Sequence, residues 1–294
     1  MDALRIAVLG PGGVGGLLGV LLAREGHAVT CLARSGTAAH IDRHGLSLTS
    51  DRYGEVRAPA RGAEILGEPV DVCLVTTKAT HLEQALDRVP ALALGGALLV
   101  PFLNGIEHMA VLRGRYPDAR TVAGAIRVVA SRTGPGEIRH EGSLAAVQLA
   151  PGAEVLTEAL RGAGLDVGVR PDEAGLLWDK LCFLAPVALL TTTLDAPLGA
   201  VREQRGEDLR ALVEEVAAVA RADGAAADPA ATLEFMATVP AGMTSSLQRD
   251  AAAGTETELE AIGGAVLRAA ERHGVPVPVT TRVVAALRDR LGRR

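Results

Sequence analysis

The stretch Ile6-Ala7-Val8-Leu9-Gly10-Pro11-Gly12-Gly13-Val14-Gly15-Gly16 decides the fold, because it sets three glycines at G-x-G-x-x-G spacing directly behind an apolar run. Ile6 to Leu9 read as a short buried strand. Gly10 permits a tight turn, Gly12 removes the Cβ that would block a pyrophosphate, and Gly15 lets the following helix lie close to the sheet. That helix, predicted over residues 13–25, aims the N–H groups of its first turn, Gly13 and Val14 among them, at the phosphates. Glycine is common here, 34 of 294 residues, so the spacing alone is a weak signal. Context strengthens it: after the helix stop at Gly26, Val29-Thr30-Cys31-Leu32 forms a second apolar strand and completes a βαβ unit of the expected size.

A site selective for NAD places an Asp or Glu about 20 residues beyond the glycines, on the ribose 2′-hydroxyl. Here the second strand ends Cys31-Leu32-Ala33-Arg34-Ser35-Gly36. The guanidinium of Arg34 suits a 2′-phosphate through charge-assisted hydrogen bonds, so NADP(H) is the predicted cofactor.

At 294 residues the chain exceeds what one core usually holds, which predicts two domains. Aromatic residues are only 2%, so aliphatic side chains must fill the interior. The net charge of −5 and the lack of a basic stripe argue against a nucleic-acid partner. Cys31, Cys73 and Cys182 are widely spaced in apolar contexts and read as buried thiols, and no histidine grouping implies a metal. The amino-terminal residues enter a strand at once, and no run reaches 18 consecutive apolar residues, so a cytoplasmic protein without a membrane partner is expected.

The first half alternates strands, such as Val72 to Thr76 and Leu98 to Val100, with helical stretches, which predicts a doubly wound parallel sheet. Between about Thr121 and Leu149, β-rich segments around Thr133-Gly134-Pro135-Gly136 read as hairpin additions to one edge of that sheet. A helix near Ala153 to Ala163 and a strand near Asp166 to Val169 follow. Beyond Arg170-Pro171 the period is helical almost throughout, including Asp172 to Thr193 and Thr255 to His273. The expected fold is therefore α/β: an N-terminal Rossmann-type doubly wound parallel sheet, residues 1–170, followed by an all-α C-terminal domain, residues 171–294. The active site is expected in the cleft between domains, and a hinge near Pro171. The alanine-rich helices of the second domain fit either core packing or a homodimer interface.

Several polar residues stand out. Lys78 and Asn104 follow strands and are expected at the cofactor-facing rim of the sheet, although by position alone the first is equally a solvated charge and the second equally part of an Asn-Gly turn. Lys180 interrupts an almost wholly apolar helical run and must snorkel out or find a partner. Glu258 reads as a carboxylate in an acidic first helical turn, and Ser246 as a helix N-cap. Spacing alone does not bring these groups together.

Taken together, the segments resemble the ketopantoate reductase (2-dehydropantoate 2-reductase) family over nearly the whole chain. The resemblance runs through Gly10 to Gly15, Thr76-Thr77-Lys78, Leu103-Asn104-Gly105, Gly134-Pro135-Gly136 with His140, Trp178-Asp179-Lys180-Leu181, Thr244 to Asp250, Thr257-Glu258-Leu259 and His273 to Pro278. It implies NADPH-dependent reduction of a small-molecule 2-oxo acid, ketopantoate, to a 2-hydroxy acid on the way to pantothenate. By the same resemblance Lys180 is the general acid, Glu258 binds substrate or orients Lys180, Asn104 and Ser246 hold the substrate carboxylate, and Lys78 lies on the cofactor side. A lysine, with an ordinary pKa of about 10.4, is protonated at neutral pH and suited to that role. His140 takes a structural role.

The departures are equally specific. Asparagines that the family carries four and eight residues after the lysine are Leu184 and Ala188 here, and two others are Leu198 and Gly263. An apolar wall does not select for a hydroxyl as a hydrogen-bonding pocket does, so a 2-oxo acid with a more apolar tail is an alternative substrate. A non-catalytic NADP(H) sensor and a 6-phosphogluconate- or opine-dehydrogenase-like enzyme are the competing readings.

Overall fold

The structure is a computed structural model, and it describes residues 2–293. Among them the strands are β1 (Arg5–Leu9), β2 (Ala28–Leu32), β3 (Leu46–Ser50), β4 (Gly54–Ala58), β5 (Arg61–Ala63), β6 (Val72–Val75), β7 (Leu98–Pro101), β8 (Arg120–Thr121), β9 (Gly124–Gly134), β10 (Glu137–Leu149) and β11 (Asp166–Val169). The helices of the same region are α1 (Gly13–Arg24), α2 (Ser35–His44), α3 (Leu82–Leu86), α4 (Ala91–Leu94), α5 (His108–Arg115) and α6 (Glu154–Gly162). The chain divides into two compact units. One takes in residues up to Leu103 together with His108–Glu173, and the other takes in Asn104–Glu107 and everything from Ala174 on.

In the first unit a six-stranded parallel sheet has the order β5-β2-β1-β6-β7-β8, with Ile6 opposite Val72 and Val29. Its central strands are buried on both faces, which is why Ile6 to Leu9 and Val72 to Val75 read as continuous apolar runs. The hairpin β9–β10 does not extend this sheet, as the sequence pattern had implied. It joins β3, β4 and β11 in a separate five-stranded sheet of order β11-β10-β3-β4, with β9 against β10. The reason is the return of β10 alongside β3 in parallel, Ile138 opposite Leu48, a pairing between residues 90 apart that no local pattern reports.

Helix α1 is packed between the two sheets, and its glycines record this. A Cβ on Gly15 would lie 2.2 Å from Thr76 Oγ1 and 3.0 Å from Val8 of the first sheet, and one on Gly16 would lie 2.5 Å from Ile138 of the second. Both faces of α1 are covered, so Gly15 to Ala23 are buried without a polar face.

The second unit is helical: α7 (Glu173–Leu194), α8 (Leu198–Gln204), α9 (Gly206–Ala222), α10 (Pro229–Thr238), α11 (Ser246–Ala252), α12 (Ala265–His273) and α13 (Pro278–Gly292). By length and composition α7 could cross a membrane, yet 72% of its apolar window is buried in the protein. Trp178, Leu181, Ala185, Leu189 and Leu190 pack there with Val213, Val216, Ile262, Val266 and Val284. The helix expected over 255–273 starts later. Gly254, at φ +65°, and Thr255, whose N–H donates to Asp250 O at 2.9 Å, close α11, so residues 255–258 lie outside any helix. A π-turn over Glu260–Gly264 then leads into α12.

Candidate active site

In the first unit the glycine turn is built largely from backbone. Gly10 has φ +84°, and its N–H donates to Leu32 O at 3.1 Å. The Thr76 hydroxyl donates to the carbonyls of Leu9 and Gly10, each at 2.9 Å, which pins the turn to the end of β6. The space a Cβ on Gly12 would enter is open, with Gly10 O the nearest atom at 3.9 Å. Helix α1 has no side-chain cap and no acid in its first turn, so the N–H groups of Gly13, Val14 and Gly15 present a positive end without a built-in anion. Beside Gly10 the Thr77 hydroxyl is buried without a hydrogen-bond partner. Donors converging on open space, with one orphaned hydroxyl, fit the diphosphate of a dinucleotide.

Gly13 answers to a second constraint: a Cβ there would lie 2.3 Å from Ala130 O of β9. Arg34 is exposed at the N-terminus of α2, where no acidic side chain occupies the first turn. Lys78 is half-buried at the start of the short turn Ala79–His81 that follows β6. His140 is fully buried, with Nδ1 2.8 Å from Ser50 Oγ and Nε2 3.0 Å from Leu144 O, a structural link between β10 and β3.

In the helical unit, Asn104 and Glu258 meet. Asn104 Nδ2 donates to Glu258 Oε2 at 2.8 Å, across 154 residues of sequence. Asn104 thus belongs with the helical unit rather than with the rim of the sheet. Its neighbour Gly105, at φ +85°, would set a Cβ 2.3 Å from Ala261 O, so only glycine lets this loop lie on the π-turn. Glu258 is buried, at 7% exposure, and lies before the helix rather than in its first turn; its carbonyl accepts from Ile262 N at 3.1 Å. Single π-turns of this kind are frequent at functional sites.

Lys180 is half-buried on α7, and Leu184 follows it on the same face. Ser246 is half-buried in the first turn of α11, but it is not the cap. Ser245 is, its hydroxyl accepting from Gln248 N at 3.0 Å and lying 2.9 Å from Thr191 Oγ1. The adjacent serine is thereby released from capping.

Residue counts hold a signal that motif spacing does not. Asn104 is the only asparagine in the chain, and Lys78 and Lys180 are its only lysines among 30 basic residues. Arginine serves every other cationic position. Its guanidinium does not lose a proton in the accessible range, so lysine is the residue that proton transfer would require.

Of the positions that depart from the family's asparagines, Ala188 and Leu198 are fully buried in the apolar core and Leu184 packs at its margin. At Gly263 a Cβ would lie 2.7 Å from Val284 Cγ2 and 3.0 Å from Leu189 Cδ2, so the core has closed over the space that a side chain would occupy. The cysteines carry no reactive thiolate: burial pushes Cys31, Cys73 and Cys182 up to about 12.

Residues 6–154 match the family model for ketopantoate reductase PanE/ApbA, and residues 174–290 match the model of its C-terminal domain. A 2-dehydropantoate 2-reductase of Caulobacter vibrioides is 30% identical over 96% of this chain and 97% of its own. The crystal structure of a PanE/ApbA family ketopantoate reductase from Ralstonia eutropha JMP134 superposes with a TM-score of 0.88, at 27% identity and 98% coverage of both chains. A ternary structure of D-mandelate dehydrogenase with NADH and anilino(oxo)acetate shares the fold, at TM-score 0.86 and 24% identity, over 98% of this chain and 99% of that one.

Proposed function

Since the chain belongs to the ketopantoate reductase family, whose members are oxidoreductases acting on 2-oxo acids, we propose that it is a cytoplasmic enzyme that reduces 2-dehydropantoate to pantoate with NADPH. The observation that carries this reading is the placement of the rarest polar residues: the one asparagine hydrogen-bonded to a buried carboxylate, and the only two lysines in the family's motifs. A bound reduced nicotinamide supplies the hydride that reaches the carbonyl carbon of the substrate. The remaining work falls to the chain.

Lys180 Nζ donates a proton to the carbonyl oxygen as negative charge grows there, so the ketone becomes an alcohol and the lysine is reprotonated from solvent. Asn104 has one amide N–H engaged by Glu258, which orients the group and leaves its second N–H for a carboxylate oxygen of the substrate. The Ser246 hydroxyl, relieved of capping by Ser245, donates to the same carboxylate. Glu258 fixes Asn104 through that hydrogen bond. On the cofactor side, Gly10, Gly12, Gly13, Val14 and Gly15 hold the diphosphate, Lys78 stands near the reacting centre, Asn104 approaches the nicotinamide end, and Arg34 takes the 2′-phosphate.

The burial of positions 188, 198 and 263 in apolar core favours a second reading, in which the substrate is a 2-oxo acid with an apolar tail. Initial rates of NADPH oxidation with 2-dehydropantoate and with 2-oxoisovalerate decide between the two. The first reading expects kcat/KM for 2-dehydropantoate to lead by tenfold or more, and a lead for 2-oxoisovalerate replaces it with the second. If no 2-oxo acid is reduced although NADPH binds, the protein is a sensor.

A further inference from the structure

The Asn104–Glu258 hydrogen bond joins two segments that have no sequence reason to meet, and one side chain is bonded to both. Arg268 on α12 donates from Nε and Nη2 to the two carboxylate oxygens of Glu107, at 2.8 and 2.7 Å, three residues beyond Asn104. The same Nη2 donates to Glu260 O at 2.7 Å, two residues beyond Glu258, and Nη1 approaches Glu260 Oε2 at 3.4 Å. Arg288 holds the Glu260 carboxylate in a bidentate pair, both contacts 2.7 Å, which fixes the π-turn from its other side. The planar fork of arginine is what allows one group to grip a carboxylate and a backbone carbonyl at once.

Resting on the reductase reading above, we propose that Arg268 is a positioning residue: it clamps the loop Asn104–Glu107 to the turn that follows Glu258, and so sets the distance between Asn104 and Glu258. Ion pairs at this degree of exposure contribute little to stability individually. The geometry gives this one another use, because it ties together the carriers of the two site groups and no other site residue. Substrate binding depends on the clamp through Asn104, whereas the bulk of dinucleotide affinity comes from the Gly10–Gly15 turn and Arg34, which the clamp does not touch.

The test exploits the single asparagine. Labelling with [15N]asparagine yields one side-chain amide pair, assigned by its disappearance in Asn104→Ser. In Arg268→Gln that pair is expected to move most of the way toward its position in urea, with an intermediate position in Arg268→Lys and a smaller shift in Glu107→Gln. In parallel, Arg268→Gln is expected to lower kcat/KM for the 2-oxo acid by tenfold or more with the KM for NADPH within twofold. In an Asn104→Ala background the same change is expected to cost less than twofold. An unmoved amide pair in folded Arg268→Gln and Glu107→Gln, or losses that multiply fully in the double variant, overturns the clamp. Absence of turnover in the wild type removes the reductase reading instead, and the amide pair then decides the clamp by itself.

Discussion

In the α/β unit, the groups proposed to meet the dinucleotide come mainly from one turn of about six residues and act through backbone N–H groups and missing Cβ atoms. In the helical unit, Asn104 and Glu258 stand 154 residues apart and act through side chains held by further side chains. A site of the first kind is damaged by adding atoms. One of the second kind is damaged by removing them, even from residues that touch no substrate.

The largest expected effect is on the side-chain site: Lys180→Ala should lower kcat by ~10²-fold or more while the dissociation constant for NADPH, from fluorescence titration, changes less than twofold. An equal loss in both would show that Lys180 serves the cofactor. Adding atoms to the backbone site is the converse experiment. Gly13→Val sets carbon against Ala130 O and must displace α1 or β9, so NADPH binding should weaken by about tenfold or more, with a loss of stability from overpacking of about 1–3 kcal/mol.

Arg34→Ala should raise the KM for NADPH about tenfold, the scale of one lost charge-assisted hydrogen bond, and leave the KM for NADH unchanged. Equal effects on the two cofactors would refute the 2′-phosphate contact. Restoring the absent asparagine at position 263 tests how firmly the core has closed there. Gly263→Asn should destabilise the protein by about 1–3 kcal/mol in urea titration, because Val284 and Leu189 fill that space.

The smallest expected effect concerns Asp223. Burial acts to raise its carboxyl, but hydrogen bonds from the Trp178 indole at 2.8 Å and from His273 at 2.7 Å, with the charges of Arg272 and His273, outweigh burial and hold it below the usual carboxylate range. Its stabilisation is complete above the ordinary carboxylate pKa and is lost as pH falls through the lowered folded value, below about pH 4. Asp223→Asn should flatten that acid limb, with a cost of about 1 kcal/mol at neutral pH. An unchanged Tm-against-pH profile would remove Asp223 from the account.

How far each feature was legible follows from how local its cause is. The turn Gly10 to Gly15, the strands β1, β2, β6 and β7, and the helical texture beyond Pro171 were all readable, since each is dictated by neighbours in sequence. The reading of β9–β10 as an edge addition failed because β10 chooses β3 through a parallel pairing across the chain. Glu258 was read into a helix because Thr255-Glu256-Thr257-Glu258 has an acidic first-turn composition, whereas the closing of α11 by Gly254 and Thr255 leaves those residues outside any helix. Ser246 was read as a cap when its neighbour Ser245 holds that role. The scarcity of lysine and asparagine was open to inspection from the start, and it marks three of the proposed site residues without any motif.

By itself the sequence determined the parallel α/β unit, its glycine turn, the helical unit and a short set of polar residues, because backbone geometry and periodic burial are written in adjacent positions. Only the tertiary structure decided that Asn104 bonds to Glu258, that Arg268 grips both of their segments, and that positions 188, 198 and 263 are closed apolar core. Those outcomes depend on which distant side chains fill the same few ångströms, and no local stretch of sequence encodes that.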